Sequence, residues 1–325
     1  MFPPPPRADR APRRPRPLLS VAPVTVPAPR RTVDLQVRVT APLGEGPLPV
    51  VVFSHGHGPS RHISSLYGYA PVADAWAARG FAVLQPTHLD SATLGLRGAD
   101  TPEAPLYWRS RAQDVSLLLD HLDLVELQSG QPLGRLGRDR IAVAGHSMGG
   151  HTASLLLGAR PVDPEFGVRV GLRDERIRAG VLLAAPGRGG DALQPEVSRN
   201  YPILADIDFG SMVPPTLVVA GDEDHARHLN VIGAAWQADA YHLSSGEKAL
   251  LEVHGGEHGL GGIAGYDAAE TTDEDPERSS MVLGAAAAFL ERHLEAGDGS
   301  WGDFVSWISG DGSSRGTLHS RPATS

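Results

Sequence analysis

Gly145-His146-Ser147-Met148-Gly149 sets a serine between two glycines, each two residues away. That spacing suits a nucleophile. The chain turns sharply from strand to helix, only glycine fits alongside the turn, and the serine hydroxyl is lifted clear of the sheet. A helix N-terminus behind it favours a developing negative charge. The bare pattern is weak in a glycine-rich chain, but the sequence carries its own control. Gly312-Ser313-Ser314-Arg315-Gly316 has the same spacing, with no strand before it and no helix after. Ser147 follows the apolar run RIAVA and precedes an apolar helical run. Ser147 is therefore the candidate nucleophile, against the plainer reading of a structural turn, and Ser314 is a loop residue.

A serine needs a base, and the base needs a carboxylate to fix its tautomer. In the order expected behind G-x-S-x-G, the acid follows a later strand and the histidine comes last. TLVVA ends in Gly221-Asp222-Glu223-Asp224, and ALLEV ends in His254-Gly255-Gly256-Glu257-His258-Gly259. Asp224 is the preferred acid, Asp222 the reserve and Glu223 less favoured. His258, in a glycine-flanked loop, is preferred as base over His254, which reads as structural. His254 to His258 also matches H-x-x-E-H, a zinc-protease pattern. That pattern needs a helix, and two central glycines disfavour one by about 1 kcal/mol each. Ser54-His55-Gly56-His57-Gly58 follows another apolar run. A second oxyanion donor belongs in that loop, which assigns the backbone amides of His57 and Met148 to the oxyanion; a plain glycine-rich turn is the alternative. His55, His57 and His62 cluster there, but no carboxylate ligand lies nearby, so no metal is expected.

The elements that must hold these groups are readable. Residues 33–40 alternate like a half-buried strand, and 49–54, 81–86, 140–144, 179–185, 216–220 and 249–253 read as buried strands. Helical patterns cover 69–78, 108–124, 148–157 and 280–294. Alternating strands and helices predict an α/β fold with a mostly parallel sheet and helices on both faces. Its ligands sit at the carboxyl ends of the strands, where every motif above falls.

Composition narrows the classes further. The 325 residues are 41% hydrophobic with a net charge of −9, which argues against nucleic acid or an anionic membrane as partner. No cysteine is present, so disulfides, thiolate zinc sites and a cysteine nucleophile are excluded. No apolar run approaches the roughly 20 residues of a membrane span. Residues 1–17 are rich in Pro and Arg and read as a disordered leader; an SH3-type ligand is a lesser reading. Arg13-Arg14 invites a twin-arginine export reading, but prolines spoil the segment that follows. The expectation is a cytoplasmic protein, with secretion left open. The catalytic domain is placed at 18–309 and a disordered Ser/Gly-rich tail at 310–325.

Taken together, the S-H-G-x-G loop, the G-H-S-M-G-G turn, the G-x-x-D turn and the G-x-x-H-G loop resemble the α/β-hydrolase superfamily over about residues 18–294. Within it the chain looks most like the predicted dienelactone-hydrolase, chlorophyllase and platelet-activating-factor-acetylhydrolase group of serine esterases. It departs from dienelactone hydrolases proper, which use cysteine, and from disulfide-bearing cutinases. The resemblance implies a cofactor-free serine ester hydrolase acting on small or medium acyl esters, with a short or absent cap at 187–215. His55, Tyr67, Tyr69, Trp108 and Tyr201 are candidate substrate-binding residues, each with ordinary packing as the alternative. The acidic run at 260–277 suits a solvated loop better than a calcium site. Two other functions stay open: a polyester or lipid depolymerase, and a non-catalytic binding protein on the same scaffold. Ester hydrolysis, thioester hydrolysis and acyl transfer, acyl length and oligomeric state are not separable at this level.

Overall fold

Continuous apolar strands need cover on both faces, and helices provide it. The computed structural model describes residues 16–265, 272–294 and 299–323, and among them nine strands form one sheet. The chain opens with strands β1 (Leu18–Val26), β2 (Leu35–Pro42) and β3 (Leu48–Ser54). Helix α1 (Ala70–Ala78) leads to β4 (Ala82–Pro86), and α2 (Trp108–Asp120) and α3 (Leu122–Gln128) lead to β5 (Leu136–His146). After α4 (Met148–Leu156) come a short β6 (Arg160–Pro161), β7 (Ile177–Leu183), α5 (Pro195–Asn200), β8 (Ile207–Asp208) and β9 (Thr216–Gly221). The chain ends with α6 (Asp239–Leu243), β10 (Lys248–Val253), α7 (Pro276–Leu294), α8 (Gly299–Ile308) and β11 (Gly316–Arg321).

The sheet order is β1-β2-β4-β3-β5-β7-β9-β10-β11, with β6 and β8 paired apart. The six strands from β4 to β10 run parallel, and β1, β2 and β11 are antiparallel flanks. Successive strand residues point to opposite faces. Val50, Val52 and Val143 pack with Val115, Leu118 and Leu155 of α2 and α4. Val51, Phe53 and Val181 pack with Trp76 of α1, Phe289 of α7 and Trp301 of α8. The chain runs from β3 to β4 on one side, then crosses to β5 on the other. This reversal falls between the carboxyl ends of β3 and β5, the usual place for a ligand in such sheets.

Three features differ from the sequence expectation. β1 was not expected, because Pro23 lies in it. The pairing with β2 shifts register between Val21 and Val24, so the proline sits at an irregularity on an edge strand, where its missing N–H costs nothing. The helix expected over 108–124 is two helices that meet at His121. The disordered tail placed after Gly310 is corrected: β11 pairs with β10 over six residues, from Lys248 with Arg321 to Val253 with Gly316. Its composition suggested disorder, but a turn through Gly310 and Gly312 is followed by a strand that covers the β10 edge. No helix among the described residues is long and apolar enough to cross a membrane.

Candidate active site

Ser147 stands between β5 and α4 with φ 55° and ψ −122°. A non-glycine residue with positive φ costs of order 1–3 kcal/mol, and such strain persists only where the surroundings enforce it. Here Ser147 N–H donates to the Leu183 carbonyl at 2.8 Å, and its own carbonyl accepts from His151 N–H. The neighbouring glycines are required by close approach. A Cβ on Gly145 would lie 2.2 Å from the Gly149 backbone, and one on Gly149 would lie 1.9 Å from the Ser54 carbonyl oxygen. We expect Gly149→Ala to destabilise the fold by about 3 kcal/mol or more, because the clash is with backbone. Urea unfolding of the variant measures this, and an unchanged midpoint would refute it.

The acid and base loops are tied to each other before their side chains meet. Asp222 N–H donates to Val253 O, Glu223 N–H to Gly256 O, and Asp224 N–H to Gly221 O. On this frame His258 Nδ1 donates to Asp224 Oδ2 at 2.7 Å. Asp224 is buried, while the His258 side chain is 41% exposed. The Nδ1 proton leaves the Nε2 lone pair free to accept a proton. Asp222 instead accepts Gly255 N–H at 2.7 Å and is exposed; Glu223 is exposed and faces His225. His254 turns away from His258 to Thr317 and the Ser314 carbonyl on the β11 side, so the two histidines of H-x-x-E-H diverge. Among the described residues no group of three or more His, Asp or Glu is placed to hold a metal ion. In the acidic loop, Asp267 and Glu270 lie outside the described residues. Asp273 accepts the N–H groups of Glu257 and Gly261 and so anchors the His258 loop, and Asp275 caps α7.

The two proposed oxyanion amides belong to His57, after β3, and Met148, the first residue of α4. Neither N–H has a partner among the described residues, and the Ser147 hydroxyl also carries no hydrogen bond there. His57 is half-buried, and its Nδ1 donates to Asp90 at 2.8 Å. Burial alone would raise the Asp90 pKa, but the Arg111 guanidinium and the His57 hydrogen bond outweigh it and hold the carboxyl far below its ordinary value. No protein-family model matches the chain, and a comparison with curated proteins finds no match either.

The expected substrate-binding residues do not form one pocket wall. His55 and Tyr69 are corrected to scaffold positions. His55 is buried, gives Nδ1–H to the Gly56 carbonyl and accepts His88 N–H, and burial lowers its pKa to about 4. Tyr69 has no exposed surface; it accepts Gly56 N–H and donates to His146 Nδ1 at 2.8 Å. Trp108 is buried beside a cavity of about 230 Å³ lined by Glu103, Arg109, Asp163 and Phe166, with none of Ser147, Asp224 or His258 on it. Tyr201 is half-buried against the core and Tyr67 is exposed.

Sequence reasoning missed His146. Its Nε2–H donates to the His258 carbonyl at 2.7 Å, so Tyr69, His146 and the base loop form one chain of hydrogen bonds. It also missed a second Ser-His-Asp arrangement. Ser54 Oγ meets His88 Nε2 at 2.9 Å, and His88 Nδ1 meets Asp114 Oδ2 at 2.9 Å. Ser54 and His88 are wholly buried and Asp114 is 2% exposed, so this set is sealed from any substrate. The signal was present in α2: Arg111 lies on the stripe of Trp108, Ala112, Val115 and Leu118, where a charge demands a buried partner.

Proposed function

We propose that the protein is a serine hydrolase of the α/β-hydrolase fold that cleaves carboxylic esters through an acyl-serine intermediate. The observation that carries this reading is the 2.7 Å contact between His258 Nδ1 and Asp224 Oδ2, made by residues from separate strand ends on the edge where Ser147 stands. The positive φ of Ser147, the chain order Ser, Asp, His, and a second donor loop after the third strand support it further.

In this reading His258 Nε2 takes the proton of Ser147 as Oγ attacks the ester carbonyl. Asp224 keeps the imidazole in the required tautomer and stabilises its charged form. The N–H groups of His57 and Met148 stabilise the oxyanion, each by about 3 kcal/mol. His258 then returns the proton to the leaving alcohol, and water enters by the same route to release the acid. The Ser147 to His258 hydrogen bond forms on substrate binding, since such bonds are commonly long or absent without substrate. Between β7 and β9 the chain forms no long helix, only turns, two three-residue 3-10 helices, the six-residue α5 and the two-residue β8. With His258 substantially exposed, this favours an open site for small or medium acyl groups.

The test is initial rates on p-nitrophenyl esters of increasing acyl length, for wild type and Ser147→Ala. We expect turnover by wild type and a loss of about 10⁴-fold or more in the variant. Wild-type activity in Ser147→Ala would overturn the reading.

A further inference from the structure

Arg111 of α2 has no exposed surface, and the mechanism above does not use it. Its Nε donates to Thr152 Oγ1 at 2.9 Å, and Thr152 Oγ1 donates to the Met148 carbonyl at 3.1 Å. One terminal nitrogen pairs with Asp90, which holds the His57 ring. The other donates to the His55 carbonyl and to Ser54 Oγ. A single planar guanidinium therefore touches both segments that carry the proposed oxyanion donors. The loop it grips is otherwise tied down: Tyr69 takes Gly56 N–H, His55 Nδ1–H meets the Gly56 carbonyl, and Arg97 donates to the Gly58 carbonyl at 2.7 Å. Within this framework the His57 N–H is left without a partner among the described residues.

We propose that Arg111 is a positioning residue that, through Asp90 and His57 on one side and Thr152 on the other, sets the spacing between the His57 and Met148 amides. The inference rests on the serine-hydrolase reading and deepens it. An oxyanion forms only in the transition state, so donors displaced by a fraction of an ångström lower kcat more than they weaken substrate binding. The fork geometry matters, since a lysine ammonium is a compact point charge that cannot span these partners in one plane. A side effect is that the residue type at 57 counts, although its backbone carries the donor.

Replacing Arg111 leaves the buried Asp90 with only the His57 hydrogen bond and no permanent counter-charge, which puts folding at risk. Thr152→Val and His57→Ala each break one arm and keep the Arg111–Asp90 pair. The measurements are kcat and KM on p-nitrophenyl acetate, the rate of Ser147 labelling by an alkyl fluorophosphonate, and the thermal midpoint. We expect kcat and labelling rate to fall together by about 10- to 100-fold in each variant, with KM within about threefold and the fold retained. Thr152→Ser restores the wild-type rate. Wild-type kcat and labelling in both variants, or a change in KM alone, would overturn the clasp while leaving Ser147 as nucleophile. Failure of the wild type to hydrolyse the ester and to be labelled would remove the hydrolase reading and the clasp with it.

Discussion

On the proposed serine-hydrolase reading, Asp224→Asn is expected to lower kcat for p-nitrophenyl ester hydrolysis by about 10⁴-fold, the scale known for a triad carboxylate turned into an amide. Asp222→Asn stays within about threefold of wild type, as exposed positions usually do. The two residues are separated by one position in the chain but by function in space. Asp224 is buried with its Oδ2 on His258 Nδ1, whereas Asp222 is exposed and holds only the Gly255 N–H. An amide at 224 offers N–H where the imidazole also offers N–H. The ring relieves this by carrying its proton on Nε2, the atom that must accept one from Ser147. KM changes little, because Asp224 does not touch the substrate. Steady-state kinetics on the two variants decide the matter. The reverse pattern, activity lost at 222 and kept at 224, would reassign the acid.

Lowering the pH from 7 to 5 removes on the order of 5 kcal/mol of folding stability. The cause is buried imidazole. Burial and the nearby Arg111 charge lower His55 to about 4 and His151 to about 3, and drive His88 well below its ordinary value. Burial and His258 lower His146 to about 3. In the unfolded chain these rings titrate near 6.5, so below that pH the unfolded state binds protons that the folded state refuses. Their contribution is complete above 6.5 and is lost as pH falls towards the folded values, at about 2 kcal/mol each by pH 5 for His55, His146 and His151, with His88 adding in the same direction. Asp114 acts in the opposite sense. Burial raises it to about 8 against the pull of Arg31, so the folded state holds its proton over this range and returns between 2 and 3 kcal/mol, roughly one histidine's share. A net loss of this size is comparable to the whole stability of many domains. Urea unfolding followed by circular dichroism at pH 7 and pH 5 checks it. An unchanged midpoint would mean that the rings find water or charge inside the fold.

How far the fold could be read depended on where each segment buries itself. The six parallel strands were legible because burial on both faces leaves unbroken apolar runs such as PVVVFS and TLVVA. The flanks were not. β1 carries a proline that only an edge strand tolerates, and β11 follows a Gly- and Ser-rich turn that reads as disorder when its partner β10 is unknown. At the site, Ser147 and the strand ends carrying Asp224 and His258 were legible because they are punctuated by glycine. The sequence preferred Asp224 to Asp222, but both lie within three residues of the end of β9, and only the fold brings one of them onto His258. Aromatic residues near the motifs were poor guides: Tyr69 looked like a pocket wall and is wholly buried, accepting the Gly56 N–H of the loop after β3. Arg111 and His88 were invisible as partners because their side-chain contacts join residues 21 to 57 positions apart.

Among the described residues three imidazoles set Nδ1 against a side-chain carboxyl oxygen with a proton held between them: His258 with Asp224, His57 with Asp90 and His88 with Asp114. A proton held in this way is strongly deshielded, and its resonance far downfield is a common spectroscopic marker of a serine-hydrolase centre. Detection requires that the proton exchange slowly with water. The side-chain exposures run 41% for His258, 20% for His57 and 0% for His88. The sharpest and most persistent downfield line therefore belongs to His88, in a set that no substrate reaches. Its survival in Asp224→Asn would report an intact interior, and a titration or inhibitor study that followed this line would be watching the wrong histidine.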